Sequence, residues 1–183
     1  TISWNDGVEL PFDTVINLGS DIIIIPVYVA PDFLQTIWLD EAGEVLSNDP
    51  TLLLTGVSQD QEITMTAVDE YGCVDEDNIV IRVDRNIGIY TPNIFSPNGD
   101  VSNEYFRPTV NESIASLKEI NIYDRWGNLV YHRENLTDLS VWQGCDGKVN
   151  GKDAIAGVYV YISTFLALDG QEENISGDIT LIR

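Results

Sequence analysis

The chain has 183 residues, 44% of them hydrophobic, and its 30 acidic side chains against 9 basic ones give a formal charge of −21. That length holds one large domain or two small ones, either able to bury a core, and so negative a surface repels phosphate backbones, which disfavours nucleic acid and anionic membranes as partners. The longest apolar run, Ile22 to Ala30, is interrupted by Pro26 and far too short to cross a bilayer as a helix, so direct membrane insertion is not expected.

No basic segment followed by an apolar one opens the chain, and no signal peptide is read within it. The charge is uneven. Up to Asp84 there are 17 acids and one base, Arg82, for −16; beyond it 13 acids and 8 bases give −5. An acidic surface that keeps an extracellular module soluble accounts for this, as does a role in holding calcium or a basic partner.

Strand signals lead from the start, and no window carries an apolar stripe at helical period. Strands are expected over Asp21–Val29, Ile37–Asp40 and Thr51–Thr55, separated by Pro31-Asp32, Glu41-Ala42-Gly43 and Asn48-Asp49-Pro50. Ile63, Met65 and Ala67 alternate with threonines, and Ile79, Ile81 and Val83 keep the same period, so both segments read as half-buried strands. The intervening Asp69-Glu70-Tyr71-Gly72-Cys73 suits a tight reversal and makes the pair a hairpin. Asp75-Glu76-Asp77 reads as a solvated loop, or as carboxylates holding an ion near Asp84. About six or seven short strands with regular turns describe a β-sandwich. The polar joint Val83–Asn86 coincides with the charge step, which places a boundary between residues 1–86 and 87–183; so short a joint is no floppy linker, and two sandwiches joined by it should touch.

The second half repeats the style. Ile120 and Ile122 alternate with Asn121 and Tyr123, Trp126-Gly127-Asn128 turns the chain, and Leu129-Val130-Tyr131 returns as a second hairpin. Val158, Val160, Ile162 and Thr164 share one face of a long strand while Tyr159, Tyr161 and Phe165 take the other, and a strand apolar on both faces is central or covered on both sides. Ile175 to Arg183 reads as a last strand, with Ile179 and Leu181 in phase and Ile182 opposite. The fold class expected is all-β, two tandem Ig-like β-sandwiches.

Candidate chemistry is sparse. Cys73 and Cys145 lie far apart with neither CxxC nor Cys/His spacing, so zinc is unsupported and two separate thiols are expected rather than a bridge between halves. Asn98, Asp100, Asn103 and Glu104 offer four oxygen side chains around Gly99. Calcium takes such oxygens together with backbone carbonyls; an Asx-rich turn capped by its own side chains uses them equally well. Calcium is thus the one cofactor to consider. His132 reads as a solvent-facing hairpin residue, no nucleophile and base pair exists, and no enzyme is expected. Large rings recur beside glycines in Tyr123-Asp124-Arg125-Trp126-Gly127, Trp142-Gln143-Gly144 and Gly157-Val158-Tyr159-Val160-Tyr161. Rings pack against exposed glycine backbone, and Arg125 can stack on a Trp or pair with Asp124. A sandwich core with glycine turns explains these residues singly but not their order. A sugar-binding module stacking glycans on Trp142, Trp126 or Tyr161, or a purely structural stalk, are the alternatives in other classes.

In that order, residues from about Tyr90 to Arg183 resemble the gliding-motility-associated C-terminal domain of Bacteroidetes, the type B sorting domain of the type IX secretion system. The blocks that carry the resemblance are Thr91–Asp100, Ile122–Gly127, Trp142-Gln143-Gly144, Gly157–Tyr161 and Gly177-Asp178-Ile179-Thr180-Leu181-Ile182-Arg183. Val101 and Glu104 depart from the family's opening, and Gln143 stands where relatives carry Asp. The first half is similar to PKD-like or Ig-like repeats, through Ile37–Asp40 and Ala67–Cys73. The resemblance implies an address rather than a catalyst: a domain that folds in the periplasm, is recognised by the type IX translocon and an outer-membrane partner similar to the PorP/SprF family, and sends a passenger, an adhesin, to the cell surface. Under it, partner recognition is expected at Pro97, Asn98, Gly99 and Asp100, at Asp124, Arg125, Trp126 and Gly127, and along the strand from Gly177 to Arg183, through an exposed edge or loop end.

Overall fold

The computed structural model describes residues 2–3, 13–26 and 33–183. The chain divides into two compact units, Thr1–Asn86 and Ile87–Arg183. Both are all-β, and no helix occurs among the described residues.

The first unit holds β1 (Ile2–Ser3), β2 (Asp13–Asn17), β3 (Ile22–Pro26), β4 (Phe33–Leu39), β5 (Val45–Ser47), β6 (Leu52–Leu54), β7 (Gln61–Asp69) and β8 (Val74–Asp84). One sheet runs β2-β8-β7-β4-β5 and the other β1-β3-β6. The period-2 pattern sends Ile16, Trp38, Ile63, Met65, Ala67, Ile79 and Ile81 from the first sheet and Ile22, Ile24 and Leu52 from the second into one core. Each aliphatic side chain so buried contributes about 1.5–3 kcal/mol. Trp38, fully buried, donates its indole N–H to Asp49 O at 2.9 Å, which keeps its one polar atom satisfied.

The strand expected over Asp21–Val29 is present as β3; its part beyond Pro26 and the Pro31-Asp32 turn lie outside the described residues. Three strands of this unit escape the sequence reading, the two-residue β1 among them. β2 is short and pairs in parallel with the distant β8, and β5 buries little. Asp75-Glu76-Asp77 corrects an expectation: it is not loop but strand, paired across from Ala67, Thr66 and Met65, with Asp75 and Glu76 exposed and Asp77 partly buried. Ladder bonds and the apolar inner face of β7 hold these residues extended despite their low strand propensity.

The second unit holds β9 (Ile89–Tyr90), β10 (Ile94–Phe95), β11 (Thr109–Val110), β12 (Ile114–Tyr123), β13 (Leu129–Leu136), β14 (Lys148–Val149), β15 (Lys152–Asp153), β16 (Gly157–Ala167) and β17 (Glu172–Leu181). Its five-stranded sheet runs β10-β17-β16-β12-β13, with β10 parallel to β17 and the rest antiparallel. Short pairs β9–β11 and β14–β15 and the Phe106–Cys145 bridge belong to the segments that cover its inner face. There Phe106 meets Phe95 and Tyr161 with ring centroids 6.2 and 5.2 Å apart, and Leu117, Ile120, Ile122, Phe165, Ile179 and Leu181 are buried.

The central strand β16 corrects a second expectation. Tyr161, Ser163, Phe165 and Ala167 point inward and are buried, but Val158, Val160 and Ile162 on the other face remain 54, 45 and 49% exposed. The strand is central in the sheet and covered on one face only.

Candidate functional site

Strand register brings the three expected recognition segments to one end of the second unit's sheet. Gly157, the first residue of β16, lies opposite Leu181 near the end of β17. Tyr123, the last residue of β12, lies opposite Val160, so the turn that follows it leaves at that same end. β10 runs parallel to β17, with Phe95 beside Leu181, and therefore delivers the loop after it there too. Ser96 N–H donates to Asn103 O at 2.7 Å, which closes that loop on its own base.

The Asp124–Asn128 turn is built entirely from local chemistry. Asp124 N–H donates to Asn128 O, Gly127 N–H donates to Asp124 O, and Gly127 takes φ +81° in the left-handed region. One Asp124 carboxylate oxygen accepts the N–H groups of Trp126 and Asn128, and the other accepts from the Asn128 side chain. These bonds, the one from the Asn128 side chain foremost, hold the Asp124 carboxyl below the usual range. The first unit repeats the device at Asp40-Glu41-Ala42-Gly43-Glu44 and Asp69-Glu70-Tyr71-Gly72-Cys73, with the same bonds to Asp and the same φ +81° at glycine. This is the three-residue hairpin loop with a glycine bulge. Asp124 and Gly127 thus shape the turn, and what it displays is Arg125 and Trp126. Trp126 is 67% exposed, with the Arg125 guanidinium 4.5 Å above its ring centroid.

The terminal block serves architecture more than display. Thr180 N–H donates to Asn93 O and Ile182 N–H to Phe95 O, while β16 pairs the other side of β17. No open edge exists over Thr180–Ile182. Arg183 donates to Gly147 O at 2.8 Å and Ala154 O at 3.3 Å and faces Asp153 at 3.3 Å, which ties it to the β14–β15 hairpin. Ile179 and Leu181 are core; Asp178 and Ile182 face solvent.

The ring and glycine blocks have specific packing causes. A Cβ on Gly177 would sit 2.8 Å from the Tyr161 hydroxyl, which itself bonds Thr91 Oγ1 at 2.8 Å. A Cβ on Gly144 would sit 2.4 Å from Phe106 O, at the place where Phe106 and Cys145 exchange backbone bonds at 2.9 Å. Buried Trp142 donates its indole N–H to Tyr131 Oη at 2.9 Å. Arg107, absent from every block read in the sequence, donates to Trp142 O at 2.7 Å and so fastens the Trp142-Gln143-Gly144 segment. Nothing local marks it, because its partner is 35 residues away.

In the Asn98–Glu104 loop the side-chain oxygens serve backbone amides. Glu104 Oε1 accepts from Gly99 and Asp100 N–H, Asn98 Oδ1 from Asp100 N–H, and Asp100 Oδ1 from Ser102 N–H, while the Asn98 amide donates to Asp100 Oδ2. That last bond leads in keeping the Asp100 carboxyl below its usual range. Val101 and Asn103 adopt φ +74° and +52°, so Val101 holds the left-handed conformation that a glycine would take without strain. No group of three or more His, Cys, Asp or Glu residues poised for a metal occurs among the described residues.

The remaining candidates lie elsewhere. Cys73 and Cys145 are free, one exposed and one buried. His132 is half-exposed and shares a 2.8 Å hydrogen bond with Asn121 Oδ1. Of the three rings considered as sugar platforms, Trp142 and Tyr161 are buried and Trp126 alone is exposed.

Residues 89–181 match the family model described as the CHU_C Type IX secretion signal domain. No curated protein matches the chain. Among solved structures it is similar to the fibronectin(III)-like modules of Clostridium thermocellum CbhA, at 12% identity and TM-score 0.36 over 100% of this chain and 93% of that one. It is also similar to a tetra-tandem repeat in the extending region of a large adhesion protein, at 18% and 0.37 over 99% and 48%, and to dimeric latent PorU from Porphyromonas gingivalis, at 16% and 0.34 over 100% and 20%.

Proposed function

Because this chain belongs to the type IX secretion signal domain family through residues 89–181, we propose that its second unit is the address by which a larger surface protein, an adhesin, is carried across the outer membrane. The sorting role comes with the family. The passenger's nature, its residence on the cell surface and an outer-membrane partner of the PorP/SprF kind are our reading. The first unit, an Ig-like sandwich, belongs in it to the passenger's stalk. The chain acts without catalysis, as a prefolded shape.

The observation that carries this reading is that the Asn98–Glu104 loop, the Arg125-Trp126 tip and the close of β17 all leave the sheet at the same end. Asp124 and Gly127 build the turn at that end, and Arg125 and Trp126 project from it. Recognition then runs through side chains, since the terminal strand's backbone is already bonded on both sides over Thr180–Ile182.

The test is a reporter fused ahead of the full chain in a host that possesses the type IX apparatus. Surface protease should reach the reporter, and a fusion lacking residues 178–183 should leave it in the periplasm. Equal surface delivery by the truncated fusion overturns the reading. Trp126→Ala, at an exposed site where stability is expected to change by less than about 1 kcal/mol, should lower delivery while leaving the fold intact.

A further inference from the structure

An antiparallel sheet with one wet face normally alternates apolar inward and polar outward. β12 and β17 keep that rule: outward of their buried residues they place Glu119 and Asn121, and Ser176, Asp178 and Thr180. β16 does not. Val158, Val160 and Ile162 form an aliphatic stripe along the middle of the outward face. The register extends it on one side, since Val160 lies beside Tyr123 and Tyr123 beside exposed Leu129, whereas Thr180 stands between Val158 and half-exposed Ile94. The stripe ends at the recess that Val158 and Ile155 line with Arg125 and Trp126. Contiguous exposed apolar surface with a polar rim marks an interaction site.

The rim tells what the partner is. Asp178 is register partner to Val160, and Glu119 lies between Thr164 and Glu134 on the same side. The basic groups nearby are engaged: Lys118 is paired with Glu172, the Arg125 guanidinium lies over Trp126, and the His132 ring lies 3.7 Å from Glu119 and 3.9 Å from Glu134. A second copy of the chain would bring the same acids and another −21 against this face, so self-association is disfavoured. We infer that the outward face of the second unit's sheet, centred on Val158, Val160 and Ile162, is the docking surface on which a component of the export apparatus seats an aliphatic ridge flanked by lysines or arginines. This rests on the sorting reading and names its contact surface.

The bland explanation of the stripe is strand propensity, since Val and Ile favour any central strand. Threonine separates the two, being β-branched and strand-favouring but not aliphatic at its tip. The experiment compares, in the full-chain reporter fusion, wild type, the triple variant Val158→Thr, Val160→Thr, Ile162→Thr, the charge reversal Asp178→Lys with Glu119→Lys, and the control Val141→Thr at another exposed valine. Delivery should fall at least tenfold for the triple variant and for the charge reversal, with circular dichroism and Tm held near wild type, and stay unchanged for the control. If the threonine variant proves unfolded, the charge reversal alone decides. Wild-type delivery by folded face variants overturns the inference and leaves the sorting reading standing, whereas failure of the wild-type fusion to reach the surface overturns both.

Discussion

The Tyr161 hydroxyl meets Thr91 Oγ1 at 2.8 Å, and it does so directly over Gly177, where a methyl group would come within 2.8 Å of the same oxygen. One glycine on β17 is thus the seat for a ring on β16 that fastens the segment before β10. Gly177→Ala must either displace the ring or break the bond to Thr91. The expected loss is about 1–3 kcal/mol, seen as a fall in the second unit's Tm of roughly 4–8 °C for each kcal/mol. Tyr161→Phe in the same background should cost little more, because the bond is already gone; additive losses would show that the two residues act separately.

Gly144 and Gly127 both hold positive φ, +106° and +81°, but differ in their surroundings. A Cβ at Gly127 meets nothing within 4 Å, whereas at Gly144 it strikes the Phe106 carbonyl. Gly127→Ala should therefore cost only the left-handed conformation, about 1–2 kcal/mol. Gly144→Ala adds overpacking against rigid backbone, for about 3 kcal/mol or more in all. Chemical denaturation of both variants should rank them in that order.

Much of this was open to view in the sequence, and its limits have physical reasons. The Asp69–Cys73 and Asp124–Asn128 turns are written locally, in an Asp that caps two amides and a Gly that takes positive φ, so both hairpins could be read. The alternation of Ile63, Met65 and Ala67 announced β7 for the same reason. β2 stayed hidden because its partner β8 lies some sixty-odd residues on, as Asp13 beside Val80 illustrates. Asp75–Asp77 misled because composition reports propensity while pairing decides conformation. At the candidate site the segments were visible, but their division of labour was not. Which glycine is packed upon, which Arg is spent on a carbonyl and which ring is wet all depend on partners in other elements, 11 to 70 residues away in the hydrogen bonds concerned.

Acid should loosen the turns in a predictable direction. Asp124, Asp100 and Asp69 all have carboxyls held below the usual range by hydrogen bonds to their ionised forms, led respectively by the Asn128 side chain, the Asn98 side chain and the Cys73 N–H. Such groups contribute stability above the unfolded pKa of about 3.9 and lose it as pH falls through the folded value. Melting temperature should hold from neutral pH down to about 5 and then decline. In Asp124→Ala the second unit should start lower at pH 7 and decline less steeply, and a parallel decline would contradict the assignment.

The two thiols should react in sequence. Cys73 is exposed, but the neighbouring Asp69 carboxylate raises its pKa, and Cys145 is raised by burial. A disulfide reagent at pH 7 should label one thiol per chain, slowly, and the second only in denaturant. Asp69→Ala should speed the first reaction. Two thiols labelled at once under native conditions would mean that the Cys145 site opens readily.

Calcium should have little hold on the Asn98–Glu104 loop. Its oxygens already accept amide hydrogens that a cation would have to displace. Millimolar calcium is expected to leave Tm within about 1 °C of the calcium-free value. A rise of several degrees, abolished by Asp100→Ala, would show instead that the loop rearranges into an ion site.

The parallel pairing of β10 with β17 carries a consequence for biosynthesis. The ribosome makes β10 early in the second unit and β17 last, yet β17 lies between β10 and β16. Until residues 172–181 have left the exit tunnel, Phe95 lacks its neighbour Leu181 and one side of β16 stays bare. A second unit cut off before β17 would thus leave Phe95 without its neighbour and one side of β16 unpaired, so the sheet closes only once its latest-made strand is in place.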